Sequence, residues 1–181
     1  PAMLAQALGP ACDGPRLHFV GNVDPAHIHD VLASCTPEQT LFIVTSKTFT
    51  TQETLANATL ATSWLERHGM RSDEAMVAVT AAPDMANRWG IDKDRIFSFE
   101  DGVGGRYSVW SAVGLAVMIG CGSARFAEVL AGAYNMDCHF RTAPFDQNLP
   151  VIMGLLRIWH RQFMGRVSYG LMAYDQRLAR F

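Results

Sequence analysis

The chain has 181 residues, 49% hydrophobic and 18% charged, with a formal net charge of −2. That length suits one α/β domain or one domain plus part of another, and the apolar content excludes a disordered chain. The charge gives no reason to expect nucleic acid or an anionic membrane as a partner, so a cation that binds an anion must be placed locally.

Taken in chain order, residues 1–8 predict a short helix with proline at an early position, ended by Gly9-Pro10. Residues 17–21 (Leu-His-Phe-Val-Gly) predict a strand. Asp24-Pro25 then reads as an N-cap and first turn for a helix to about Ser34. Residues 40–45 are a nearly continuous apolar and β-branched run, which suits a strand buried on both faces of a parallel sheet. A polar loop, 46–50, leads into a long helix from Thr51 to about His68, stopped by Gly69.

Residues 76–80 predict a further strand, 84–89 a short helix and 96–99 a fourth strand. After a glycine-rich loop at 101–107, helices are expected at 108–119, 124–139 and 148–163. Arg157, His160 and Arg161 share one polar face of the last of these at i, i+3, i+4 spacing. A strand at 167–173 and a helix opening at Asp175 complete the series. Alternating strands and helices with short connections argue for a parallel sheet between two layers of helices. Ligands of such sheets bind beyond the carboxyl ends of the strands, where the loops at 22–24, 46–50 and 100–107 fall. Residues 142–149, with Pro144, are the best candidate boundary between domains.

The longest apolar stretch, 109–122, is too short for a bilayer span of about 20 residues, and no signal peptide is visible. The chain is therefore expected in the cytoplasm. Cys12, Cys35, Cys121 and Cys138 show no framework spacing and read as free thiols. His27 and His29 lie about 200° apart around a helix and cannot share one metal ion.

Two segments carry chemistry. Ser46-Lys47-Thr48-Phe49-Thr50-Thr51-Gln52-Glu53-Thr54 leaves a buried strand and enters a helix. Its hydroxyls and backbone N–H groups would converge at a positive helix terminus, and Lys47 adds a full charge: a site for a phosphate dianion. The same residues fit equally well as a Thr-rich helix cap whose hydroxyls satisfy only the backbone. Glu53, in the first turn, would repel a close phosphate and should point elsewhere. The second segment is Asp101-Gly102-Val103-Gly104-Gly105-Arg106-Tyr107-Ser108. Its glycines allow close backbone approach to a ligand, and Arg106 could steady negative charge there or simply brace the loop.

Both segments, in this order, resemble the hallmark segments of the glucose-6-phosphate isomerase family. Further resemblance runs along the chain at Phe19-Val-Gly-Asn-Val-Asp24, Met136-Asp-Cys-His-Phe140, Gly154-Leu-Leu-Arg-Ile-Trp159 and Tyr174-Asp-Gln-Arg-Leu-Ala-Arg-Phe181. The resemblance implies a sugar-isomerase (SIS) domain, a three-layer α/β/α fold with five parallel strands. Residues 1–145 would form a first SIS domain lacking its first strand, and 146–181 the crossover helix and opening strand of a second. It further implies that Ser46, Lys47, Thr48 and Thr51 grip the phosphate of a hexose 6-phosphate, with Phe49, Thr50 and Gly105 in the same site. Arg106 would stabilise the cis-enediolate, and Glu53 would orient a catalytic histidine. No cofactor and no metal are implied, and the complete enzyme is expected to be a homodimer.

The chain departs from the family in lacking the Gly-Ile-Gly-Gly-Ser-Asp-Leu-Gly segment expected before Pro1. It also lacks the Met-Glu-Ser-Asn-Gly-Lys segment expected after Phe181, whose glutamate is the proton-transferring base. Glu38, Glu66, Glu74 and Glu128 read as surface residues unable to replace it. The isolated chain is therefore expected to be inactive. The competing expectation is a non-catalytic phosphosugar-sensing SIS module, against which stand the Gly-Gly-Arg loop and the want of a basic stripe or helix-turn-helix.

Overall fold

A computed structural model describes residues 1–9, 12–105 and 108–180. At its centre, β1 (Phe42–Thr45), β2 (Met76–Thr80) and β3 (Ile96–Ser98) form a parallel sheet in the order β1-β2-β3. Phe42 pairs with Met76, and Ala78 with Ile96. β2, flanked on both sides, is buried at every position, as its unbroken apolar run requires.

The crossovers supply the outer layers. Between β1 and β2 run α3 (Gln52–Arg67) and α4 (Ser72–Ala75), and between β2 and β3 runs α5 (Pro83–Trp89). α3 buries Ala58, Ala61 and Leu65, which fall on one face at helical spacing. That face packs with Ala86 of α5 onto Val44, Met76 and Ala78. Leu65 is fully buried, and truncating it to alanine would cost about 2–5 kcal/mol. Ile43 and Val79, pointing the opposite way by the two-residue strand period, meet Phe99, Val113 and Leu115 on the second face. The expected three-layer α/β arrangement is thus formed, with three strands among the described residues.

A satellite cluster joins α1 (Ala2–Leu8), α6 (Leu115–Cys121) and α7 (Ser123–Thr142) through Leu4, Leu8, Val117 and Phe126. A glycine is required at 114 because a Cβ there would lie 2.3 Å from the Phe126 ring. α2 (Pro25–Ala33) opens as expected, with the Asp24 carboxylate accepting the Ala26 N–H at 3.0 Å.

Several expectations are corrected. Residues 17–21 form no strand: the preceding chain is drawn onto the end of α6, where Gly14 N–H donates to Gly120 O and Leu17 packs on Gly120. Residues 167–173 also form no strand; they are exposed and find no ladder partner among the described residues. Beyond them the expected helix is one 3-10 turn, Gln176–Leu178, capped by Asp175. The helix expected at 148–163 is α8 (Leu149–Ile158) followed by a π turn, Trp159–Phe163. The change of period splits the expected polar face: Arg157 stacks over Tyr169 at 4.7 Å, and Arg161 donates to Val167 O. Cys12 and Cys121 are disulfide-bonded, and only Cys35 and Cys138 are free. α8 buries none of its residues, and Phe145, Met153 and Phe163 are all exposed. Among the described residues no helix is long and apolar enough to cross a membrane.

Candidate functional site

Because the three strands are parallel, their carboxyl ends share one edge of the sheet, and the two sequence-predicted loops emerge there together. The 46–51 loop is anchored from both sides. Ser46 N–H donates to Val79 O at 3.1 Å, while Lys47 O accepts from Ala81 N–H and from Thr80 Oγ1, each at 3.0 Å. Thr80 is fully buried and also accepts the Ala82 N–H, so the main chain of Lys47 is tied to the end of β2. Phe49 adopts φ 52°, a left-handed conformation uncommon for a bulky residue. Its ring is 2% exposed and packs edge-on against Trp89, so burial offsets the backbone cost.

The hydroxyls of the loop bond to one another. Ser46 Oγ and Thr51 Oγ1 share a hydrogen bond of 3.1 Å, and Thr48 and Thr50 share one of 2.7 Å. Thr51 is the N-cap of α3 but makes no side-chain capping bond. The first-turn N–H groups of α3 are therefore not satisfied by the side chain of the N-cap threonine. Ser46 is buried, Lys47 half-buried, and Thr48, Thr50 and Thr51 exposed. Glu53 is exposed in the first turn of α3. The structure thus joins Ser46 and Thr51 at the start of α3 and carries the Lys47 side chain across to the glycine-rich loop, while Phe49 turns its side chain into the core.

The glycine-rich loop meets this one through Lys47. Its ammonium lies 3.1 Å from Asp101 Oδ1 and also donates to the Asp101 carbonyl. The stem passes over Gly104, where a Cβ would stand 2.9 Å from Lys47 Cδ. Gly104 and Gly105 take φ 142° and 79°, open to glycine. Ser108, buried, closes the loop by accepting Gly104 N–H at 2.9 Å and donating to Gly104 O. Arg106, assigned to charge stabilisation, lies outside the described residues, as does Tyr107.

Two residues that hold this edge, Thr80 and Asn57, lie outside the quoted motifs, and two, Asp101 and Ser108, lie inside one without a role assigned to them. Asn57 is buried on α3 and donates to Asn22 O at 2.8 Å, which ties the 22–24 loop to the same edge; its Oδ1 has no partner among the described residues. Asp101 and Ser108 lie within the quoted glycine segment, but nothing local marks their partners. Glu38, Glu66, Glu74 and Glu128 are exposed as expected, Glu74 pairing with Arg71 and Glu128 with Arg125. Among the described residues no group of three or more His, Cys, Asp or Glu side chains is placed to hold a metal ion.

The fold and this edge define the chain as a three-layer α/β protein with two coupled loops at the carboxyl ends of a parallel sheet. The profile of the phosphoglucose isomerase family matches residues 1–181, and the chain belongs to that family. It is 51% identical over 180 residues to the glucose-6-phosphate isomerase of Cereibacter sphaeroides, covering 99% of this chain and 34% of that protein. It is 54% identical over 183 residues to that of Xanthobacter autotrophicus, covering 99% and 33%. The crystal structure of a glucose-6-phosphate isomerase from Chlamydia trachomatis superposes with a TM-score of 0.87 at 34% identity, over 98% of this chain and 34% of that one. The chain thus spans about a third of the length of the curated relatives it matches.

Proposed function

We propose that this chain supplies the phosphate grip and the enediolate-stabilising loop of a glucose-6-phosphate isomerase, which interconverts glucose 6-phosphate and fructose 6-phosphate in the cytoplasm as a homodimer. The observation that carries this is the hydrogen bond between Ser46 and Thr51 at the start of α3, which leaves the Thr51 side chain without a capping bond to the helix, with Lys47 next in the chain. A phosphate dianion there would take hydroxyl and backbone N–H donors, the helix dipole and one full positive charge. Thr48, Thr50 and Gly105 border the sugar, and Phe49 holds the loop in shape from beneath.

Chemistry at C1 and C2 requires a proton to move between adjacent carbons while the oxygens carry negative charge. Arg106 is proposed to meet that charge, at the far end of the loop that Lys47 touches. Glu53 is proposed to orient a histidine through its carboxylate. None of the glutamates at 38, 66, 74 or 128 neighbours this edge in sequence, so the base is proposed to come from another part of the full-length enzyme. In this reading residues 1–145 belong to a first SIS domain and 146–181 to the start of a second.

The test is a coupled assay of glucose 6-phosphate formation from fructose 6-phosphate, run on this chain and on the full-length protein that carries it. Activity in the longer protein alone is the expected result. Activity in neither would overturn the isomerase reading in favour of a phosphosugar-sensing module.

A further inference from the structure

Lys47 has a fixed root and an exposed tip. Its main chain is bound to Thr80 and Ala81, whereas its ammonium rests on Asp101, whose side chain is 94% exposed. The glycine-rich loop has the opposite asymmetry. Its far end is closed by the buried Ser108, and the turn at its head by the Val103 N–H bond to Glu100 O. Across from β1, that head is held by Lys47. We propose that Asp101 is a positioning residue: it holds the Lys47 ammonium at the junction of the two loops, so that phosphate occupancy and the setting of the glycine-rich loop's head, residues 101–105, are linked through one side chain.

This rests on the phosphate-grip reading above and adds a residue and a coupling to it. An exposed ion pair is weak, because water screens it and two side chains must be ordered to make it. A phosphate dianion at α3 brings twice the charge of Asp101, together with the hydroxyls of Ser46 and Thr51. It therefore draws Lys47 away, and the head of the glycine-rich loop loses its tether as the site fills. When phosphate leaves, Asp101 recaptures the ammonium, and the loop returns with it. Gly104 makes the exchange sterically open, since any larger residue would stand in the path of the Lys47 stem.

The experiment is a titration of the 181-residue chain with inorganic phosphate, followed by backbone amide NMR. The expected result is that amides at 46–52 and at 102–105 shift together and saturate at one dissociation constant. In Asp101→Asn, phosphate binds about two- to five-fold tighter because a competing carboxylate is gone. The 102–105 response is then smaller, because only the Lys47 bond to the Asp101 carbonyl still joins the two loops. Asp101→Glu restores the linked response, which a purely structural role would not do. Saturation at 46–52 with 102–105 unmoved in the unaltered chain would overturn the inference, as would an Asp101→Asn variant that behaves like it. Absence of any response at 46–52 would instead overturn the phosphate reading. The tether is then decided without ligand, by amide exchange at Val103: acceleration in Asp101→Asn and a larger one in Lys47→Met, which also loses the bond to the Asp101 carbonyl, supports it, and unchanged exchange overturns it.

Discussion

The ring of Phe49 meets that of Trp89 edge-on, with centroids 6.0 Å apart and planes at 68°. This contact pins a loop residue of positive φ into the core between α3 and α5. Phe49→Ala should lose about 3–5 kcal/mol of stability in urea denaturation, and Phe49→Leu clearly less. Phosphate affinity should fall in Phe49→Ala even under conditions where the chain remains folded, because the loop loses its anchor.

Ser46 and Thr51 share their hydrogen bond away from the backbone, so their removal should spare the fold and damage the anion site. Ser46→Ala and Thr51→Val should each weaken inorganic phosphate binding by about tenfold or more, the range for a hydrogen bond to a charged group. Stability should change by about 1 kcal/mol or less. Calorimetric titration of both single variants and the double variant should reveal non-additivity, since the two hydroxyls touch.

Gly104→Ala places a Cβ at φ 142° and 2.9 Å from Lys47 Cδ. It should cost about 1–3 kcal/mol through backbone strain and displace Lys47. Gly102→Ala, with nothing within 4 Å of its Cβ and no positive φ, is the matched control and should be near neutral. Thermal unfolding of the two variants side by side checks this, and equal midpoints would contradict the account.

The Cys12–Cys121 bond closes a sequence separation of 109 residues and leaves Cys35 and Cys138 free. Alkylation of the unreduced, denatured chain should modify two thiols, and four after reduction. Mass spectrometry reads the count directly.

The elements that were legible in advance are those whose signals are local. β2 falls on the run expected, α3 starts one residue later and ends one earlier than expected, and Gly69 follows its end. Residues 17–21 and 167–173 carry the same kind of apolar pattern and form no strand. A strand is completed by hydrogen bonds to a neighbour, and no pattern within one segment records whether that neighbour is there. The missed disulfide has the same cause, since two cysteines so far apart carry no spacing signal.

The candidate site divides along the same line. Sequence alone determined the residue types of the Ser46–Thr51 loop, because a buried strand running into a helix start is a local arrangement with hydroxyls and a lysine at its bend. It also determined the family, through segments that are similar from end to end. Only the tertiary structure decided that the hydroxyls of Ser46 and Thr51 pair with each other, that Phe49 faces the core, and that Lys47 reaches Asp101. The last contact spans 54 residues of chain and the tie from Thr80 to Lys47 spans 33. Such partners are chosen by the register of parallel strands and the packing of their crossovers, which bring distant loops to one edge of the sheet.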